Sequence, residues 1–238
     1  MGLFDRLKAA AAQDWAAYTE HEFLYQLEAG TLPEAAFRSY LVQDYLFLIQ
    51  FARANALAGF KSHTLNDLAA AQSGLAAIIN ETELHVRLCA DWGLRREDLD
   101  SAVEHPATVA HTRYVLDSGM RGDLLDIKVA LSPCTIGYAE IGARLKPAVE
   151  NSPDHPYAEW VNEYASESFQ QVAGEAAADI DQLGDRFLGD PEANPQRFQA
   201  LINTFATATR MESAFWQMGL DLGAVEIGAA EKGAAPGT

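Results

Sequence analysis

The chain has 238 residues, and 17 Lys and Arg against 34 Asp and Glu give it a formal charge of −17 at pH 7. Such an excess of negative charge repels phosphate backbones and anionic lipid headgroups, which argues against a nucleic-acid or membrane partner. An apolar share of 49% with 21% charged residues is that of a globular protein able to bury a sizeable core.

The two cysteines, Cys89 and Cys134, form neither a disulfide framework nor a Cys-x-x-Cys pair. Residues 1–8 carry no apolar run of the secretory kind, and no segment is long and apolar enough to span a bilayer. The expectation is a cytoplasmic protein.

Residues 3–18 predict an amphipathic helix with Leu3, Leu7 and Tyr18 on one side. A short stretch over 21–27 ends at Gly30, a C-cap residue. Thr31 and Glu34 have capping-box spacing with Pro33 between them, and they open a helix to about Gly59. Its core face carries Phe37, Tyr40, Leu41, Asp44, Phe47, Leu48, Phe51 and Asn55 at steps of three and four. Burying Asp without a partner is costly, so Asp44 is expected to meet one or to face a cavity.

Residues 64–92 read as a further helix, stopped by Gly93. Glu81 and His85, four apart, read as a surface hydrogen-bonded pair, and Cys89 as core packing. Residues 95–105 read as a loop. Pro106 starts a helix to about Ser118, on which His111, Tyr114 and Val115 are adjacent. The run from Asp123 continues through Ser132-Pro133-Cys134 to about Lys146.

Two local readings of Pro133 stand. Ser132 and Pro133 can begin a new helix with Cys134 in its first turn, where the N-terminus favours a thiolate. Alternatively, Pro133 kinks one continuous helix. Residues 157–188 then form a long helix bearing Tyr164. The last helix begins at Asn194-Pro195 and ends at Gly219, with Glu212 interrupting an aromatic stripe that includes Phe215 and Trp216. After Gly223 the composition predicts a mobile tail over 223–238. With no strand alternation, the fold class is all-α, a helical bundle with one domain over 1–222.

The chemistry-bearing residues are a thiol, Cys134, two carboxyl groups in apolar stripes, Asp44 and Glu212, and the inward-facing tyrosines Tyr114, Tyr138 and Tyr164. A thiol paired with a carboxylic acid suits covalent addition to an electrophilic carbon. A carboxyl group against Phe215 and Trp216 has its pKa raised by desolvation, so it can act as an acid near neutrality. His21, His85 and His111 are available as thiol partners, and the spacing does not choose among them. None of the six histidines has Glu three residues before it, so the di-iron ligand pattern is missing. No phosphate-binding glycine loop occurs. Neither metal nor cofactor is expected.

The segments His21-Glu22-Phe23-Leu24, Gly30-Thr31-Leu32-Pro33, Phe37 through Leu48, Ser132-Pro133-Cys134-Thr135-Ile136-Gly137-Tyr138 and Glu212-Ser213-Ala214-Phe215-Trp216 together resemble the TenA, or thiaminase II, family, collinearly from about residue 5 to 220. The resemblance implies a heme-oxygenase-like bundle, commonly a homotetramer. The implied reaction releases an amino group from 4-amino-5-aminomethyl-2-methylpyrimidine, or splits thiamin, to give a hydroxymethyl pyrimidine for thiamin salvage. By motif, Cys134 is the nucleophile that adds to the ring, Glu212 the proton donor and acceptor, and Asp44 the partner of the ring amidine. Phe47, Tyr114, Tyr138, Tyr164 and Phe215 line the pocket. Phe47 stands where a tyrosine is expected. That keeps open an alternative from another class, a non-catalytic pyrimidine- or thiamin-binding protein of the same fold.

Overall fold

The computed structural model describes residues 1–233. Among these the chain is helical throughout, with no strand. The axis of the bundle is α4 (Glu34–Lys61), which packs against α5 (Leu65–Asp91), α7 (Pro106–Arg121), α8 (Leu124–Ser132) and α12 (Pro195–Gly233). The stripe expected on α4 is its inward face: Phe37, Tyr40, Leu41, Asp44, Phe47, Leu48 and Asn55 are buried and Phe51 is half-buried.

Around this axis lie α1 (Leu3–Ala10), α2 (Ala12–Thr19), α3 (Glu22–Glu28), α6 (Arg96–Asp100), α9 (Tyr138–Glu150), α10 (Ala158–Tyr164) and α11 (Glu167–Phe187). The core is strongly aromatic. Trp216 stacks on Phe23 at 5.1 Å and leans on Tyr40 and Tyr138, joining α12, α3, α4 and α9.

Several elements differ from the sequence expectation. The helix expected over 3–18 breaks at Ala11 (φ −109°, ψ 26°), which lets Leu3, Phe4 and Leu7 on one side and Trp15 and Tyr18 on the other reach the core. The stretch 95–105 contains the short helix α6, at whose start the Asp98 carboxylate accepts from the Arg95 backbone N–H and from its guanidinium. Residues 157–188 are two helices, because the Ser166 hydroxyl accepts the Phe169 N–H and restarts the ladder after Tyr164. Close packing accompanies the break: a Cβ on Gly142 would sit 2.6 Å from the Tyr164 carbonyl carbon. The final helix runs to Gly233, past the end expected at Gly219, so the first part of the expected tail is helical. The remainder of that tail, 234–238, lies outside the described residues.

Ion pairs pin the bundle around its cavity. Arg197 of α12 holds both Asp123 and Asp126 at the start of α8. Lys128 of α8 pairs with Asp179 of α11 at 2.9 Å.

Candidate active site

Cys134 lies in a five-residue π-helical segment, Pro133–Gly137, inserted between α8 and α9. The run is continuous, as the second reading of Pro133 requires, so no free helix N-terminus faces the thiol. Proline's missing N–H would orphan the Val129 carbonyl, but the Ser132 hydroxyl donates to it at 2.8 Å. The Tyr18 hydroxyl donates to the Pro133 carbonyl at 3.1 Å. Gly137 makes that approach feasible, since any side chain there would run into the Tyr18 ring. Helical distortion of this kind recurs at functional sites. Here it turns a 9%-exposed thiol toward a cavity.

Two side chains stand behind the thiol. His111 Nε2 of α7 is 3.8 Å from Cys134 Sγ and 3.9 Å from Glu212 Oε1 of α12. Glu212 is 2% exposed and His111 fully buried; Glu212 Oε1 and His111 Nδ1 have no hydrogen-bond partner. Burial lowers the imidazole to about 3 and raises the Glu212 carboxyl to about 8, against a smaller opposing effect of its bond to Cys134. Burial, reinforced by Glu212, also pushes the thiol well above its ordinary value. The resting cluster at neutral pH is therefore thiol, neutral imidazole and mostly neutral carboxyl. The thiolate expected from a helix terminus is replaced by a thiol that must pass its proton to a neighbour.

Asp44 forms a second centre across the cavity. The Tyr40 hydroxyl donates to its Oδ2 at 3.2 Å, and Trp160 Nε1–H donates to the Tyr40 oxygen at 3.2 Å. His85 Nε2 is 2.9 Å from the Leu41 carbonyl, which can only accept, so Nε2 carries the proton. The unprotonated Nδ1 then faces Asp44 Oδ2 at 3.5 Å. Burial raises Asp44 to about 7, against the smaller effect of the Tyr40 bond, and lowers His85 to about 4. His85 is thus a buried support for Asp44, and not the surface partner of Glu81 expected from their spacing. Cys89 is core, as expected.

The cavity has a volume of about 590 Å³, the size of a small-molecule site. Asp44, Phe47, Phe51, Cys134, Tyr138, Tyr164 and Phe169 line it. Of the sequence-expected residues, these walls omit two aromatic ones. Tyr114 is half-buried on the edge of α7, whose inward face is Thr108, His111, Thr112 and Val115. Phe215 packs behind Phe47, ring centroids 5.7 Å apart. Half-buried Glu81 is a further wall residue, its carboxyl raised to about 8 by burial and by Asp44 and Glu163. Three residues apart on α7, His111 and Tyr114 lie on neighbouring parts of one face, so the spacing did not choose the imidazole over the phenol. No local signal marked Glu81.

Together the two centres can present an acid–base carboxyl to a flat polar ring at Asp44 and a thiol with a proton acceptor at Cys134. Aromatic rings line the cavity that both face.

A sequence model of the TENA/THI-4/PQQC family matches residues 8–222. An uncharacterised Haemophilus influenzae protein is 40% identical over 220 residues, covering 92% of this chain and all of that one. An aminopyrimidine aminohydrolase of Halalkalibacterium halodurans is 34% identical over 206 residues, covering 86% of this chain and 89% of its own. The crystal structure of a protein described as a TenA family transcription regulator, from Silicibacter sp. TM1040, superposes with a TM-score of 0.85 at 40% identity, over 92% of this chain and 96% of that one. A Shewanella denitrificans domain with a heme oxygenase-like fold superposes at a TM-score of 0.69 with 14% identity, over 98% and 96% of the two chains, and shows the shared fold alone. The chain is a heme-oxygenase-like helical bundle and belongs to the TENA/THI-4/PQQC family, among its TenA members.

Proposed function

We propose that this protein is an aminopyrimidine hydrolase of the thiaminase II type. Its substrate in this reading is 4-amino-5-aminomethyl-2-methylpyrimidine or thiamin, its product the hydroxymethyl pyrimidine, and its place thiamin salvage. The single observation that carries the reading is the cavity-facing thiol backed by His111 and Glu212, with Asp44 across an aromatic slot. The hydrolase activity of the Halalkalibacterium relative supports it.

A carboxyl group near pKa 7 matches an aminopyrimidine edge, because its O–H donates to the ring nitrogen while its other oxygen accepts from the amino group. Proton transfer from Asp44 to the ring nitrogen makes the ring a better electrophile. The Cys134 thiol then adds to a ring carbon and passes its proton to the carboxylate form of Glu212. Glu212 returns a proton to the departing amine, whereas the thiazolium of thiamin leaves as neutral thiazole and needs none; water then adds its hydroxyl to the exocyclic methylene left behind and releases a proton. Expulsion of Cys134 restores the aromatic ring and the starting proton states. Glu212 lies behind the thiol, so its work is centred on the sulfur's proton.

In this reading residues 1–222 form one catalytic domain and the protein works in the cytoplasm as a homotetramer. Exposed Phe60, Leu65 and Met120 offer apolar surface for contacts between copies. The test is a paired assay of purified protein with the aminomethyl pyrimidine and with thiamin. Release of the hydroxymethyl product is the expected result; binding of either compound without product would sink the enzymatic reading and leave a pyrimidine-binding protein.

A further inference from the structure

We propose that His111, Cys134 and Glu212 form a binding site for a thiophilic divalent cation of the zinc class, and that the bound cation blocks the thiol. The three donors come from α7, the π segment and α12, so no spacing in the sequence announces them. One nitrogen, one sulfur and one carboxylate oxygen lie within 4.8 Å of one another. In a tetrahedral zinc site, bond lengths of about 2.0–2.3 Å put neighbouring ligand atoms roughly 3.4–3.6 Å apart. The two edges at His111 Nε2 measure 3.8 and 3.9 Å, so they close by a few tenths of an ångström.

Chemistry favours the same occupant. Thiolate and imidazole select zinc-like ions over magnesium or calcium, which prefer all-oxygen ligands. On binding, the thiol and the carboxyl group each lose a proton to solvent, and the two resulting negative charges cancel those of a divalent cation inside an apolar core. Glu212 Oε1, buried and without a hydrogen-bond partner, gains one. The fourth position falls to water from the cavity that Cys134 lines. His111 Nδ1 has no acceptor to orient the ring, and metal-binding histidines lacking that support lose about 10–100-fold in affinity. The site is therefore reversible rather than structural.

Cation binding stands on this geometry alone; its inhibitory consequence rests on the hydrolase reading above. The experiment is titration of chelator-treated full-length protein with Co²⁺, followed by displacement with Zn²⁺. The expected result is one equivalent bound, with a sulfur-to-cobalt charge-transfer band and the intense visible bands of four-coordinate cobalt. Cys134→Ser removes the charge-transfer band, Cys89→Ala keeps it, and His111→Gln and Glu212→Gln each weaken binding at least about tenfold. Circular dichroism checks that each variant is folded. No stoichiometric binding to the wild-type protein, or unchanged affinity in folded His111→Gln and Glu212→Gln, would overturn the site. In the activity arm, Zn²⁺ stops product release and a chelator restores it. Stoichiometric binding without loss of activity would overturn the blocking role, while an inactive protein with the cobalt spectrum would overturn the hydrolase reading alone.

Discussion

Asp126 and Glu212 are both carboxyl groups on the inner bundle, and they are held in opposite proton states. Burial is the largest influence on Asp126 and would raise it, but the Arg197 guanidinium and the hydrogen bonds with Asp123 together outweigh it, so its pKa is lowered and it stays ionised. Glu212 has no cation beside it; its neighbours are an uncharged imidazole and a thiol, and burial raises it to about 8. The first arrangement fixes α8 against α12. The second leaves a protonatable carboxyl beside a thiol. What separates the two carboxyl groups is the neighbour, not the residue type.

The sharpest way to break this contrast is to remove the thiol. Cys134→Ala is expected to abolish product release while the circular dichroism spectrum and Tm stay near wild type. Appreciable turnover in a chromatographic assay would reject the covalent route. Next, Glu212→Gln is expected to lower kcat by about 10²–10⁴-fold, the usual weight of acid–base catalysis. Steady-state kinetics on the better substrate decide this, and unchanged kcat would leave Glu212 as a packing residue.

The same variant tests the proton state. A folded-state pKa of about 8 against 4.5 unfolded means that the native protein binds the extra proton between those values. The associated stability is present below the unfolded pKa and is lost as pH rises through about 8. Urea denaturation at about pH 5 and pH 8 should therefore show a smaller pH-dependent loss in Glu212→Gln than in wild type, by a few kcal/mol at order of magnitude. Asp126 has the reverse sign, its contribution being lost as pH falls through its lowered value.

Breaking the clamp should cost stability and spare chemistry. Arg197→Met is expected to destabilise by about 1–3 kcal/mol, seen as a lower Tm, because it strands the buried Asp126 and half-buried Asp123 carboxylates. A matching fall in kcat at a temperature where the variant is folded would show that clamp and catalyst are coupled. The smallest effect is expected from Phe47→Tyr, which adds a hydroxyl on a ring 5.0 Å from that of His111. A change of about tenfold or less in the ratio of kcat/KM for the two substrates is expected. An unaltered ratio would remove Phe47 from substrate choice.

Much of this was legible in the chain itself. Steps of three and four residues located the inner face of α4 and the single carboxyl in it, and the same period placed Glu212 inside the last helix. Ser132-Pro133-Cys134 marked a disturbed helix, although the residue pair could not say whether the run stopped or bulged. Helix periodicity is a local property, carried by residues within two turns of each other, and it survives in the sequence intact.

Tertiary structure decided the rest. Tyr114 and His111 lie one turn apart on α7, and only the angle at which α7 meets the π segment turned the imidazole, rather than the phenol, toward the thiol. His85 left its surface assignment because the Leu41 carbonyl on a neighbouring helix accepts a hydrogen bond from its Nε2–H. Even the thiol's proton state reversed, since a continuous run presents no helix N-terminus to the sulfur and the surrounding core removes water. The sequence determined which residues face inward, because that depends on spacing along one helix. Which of them meet, and with what charge, depends on how separate helices cross and on how much water their packing excludes.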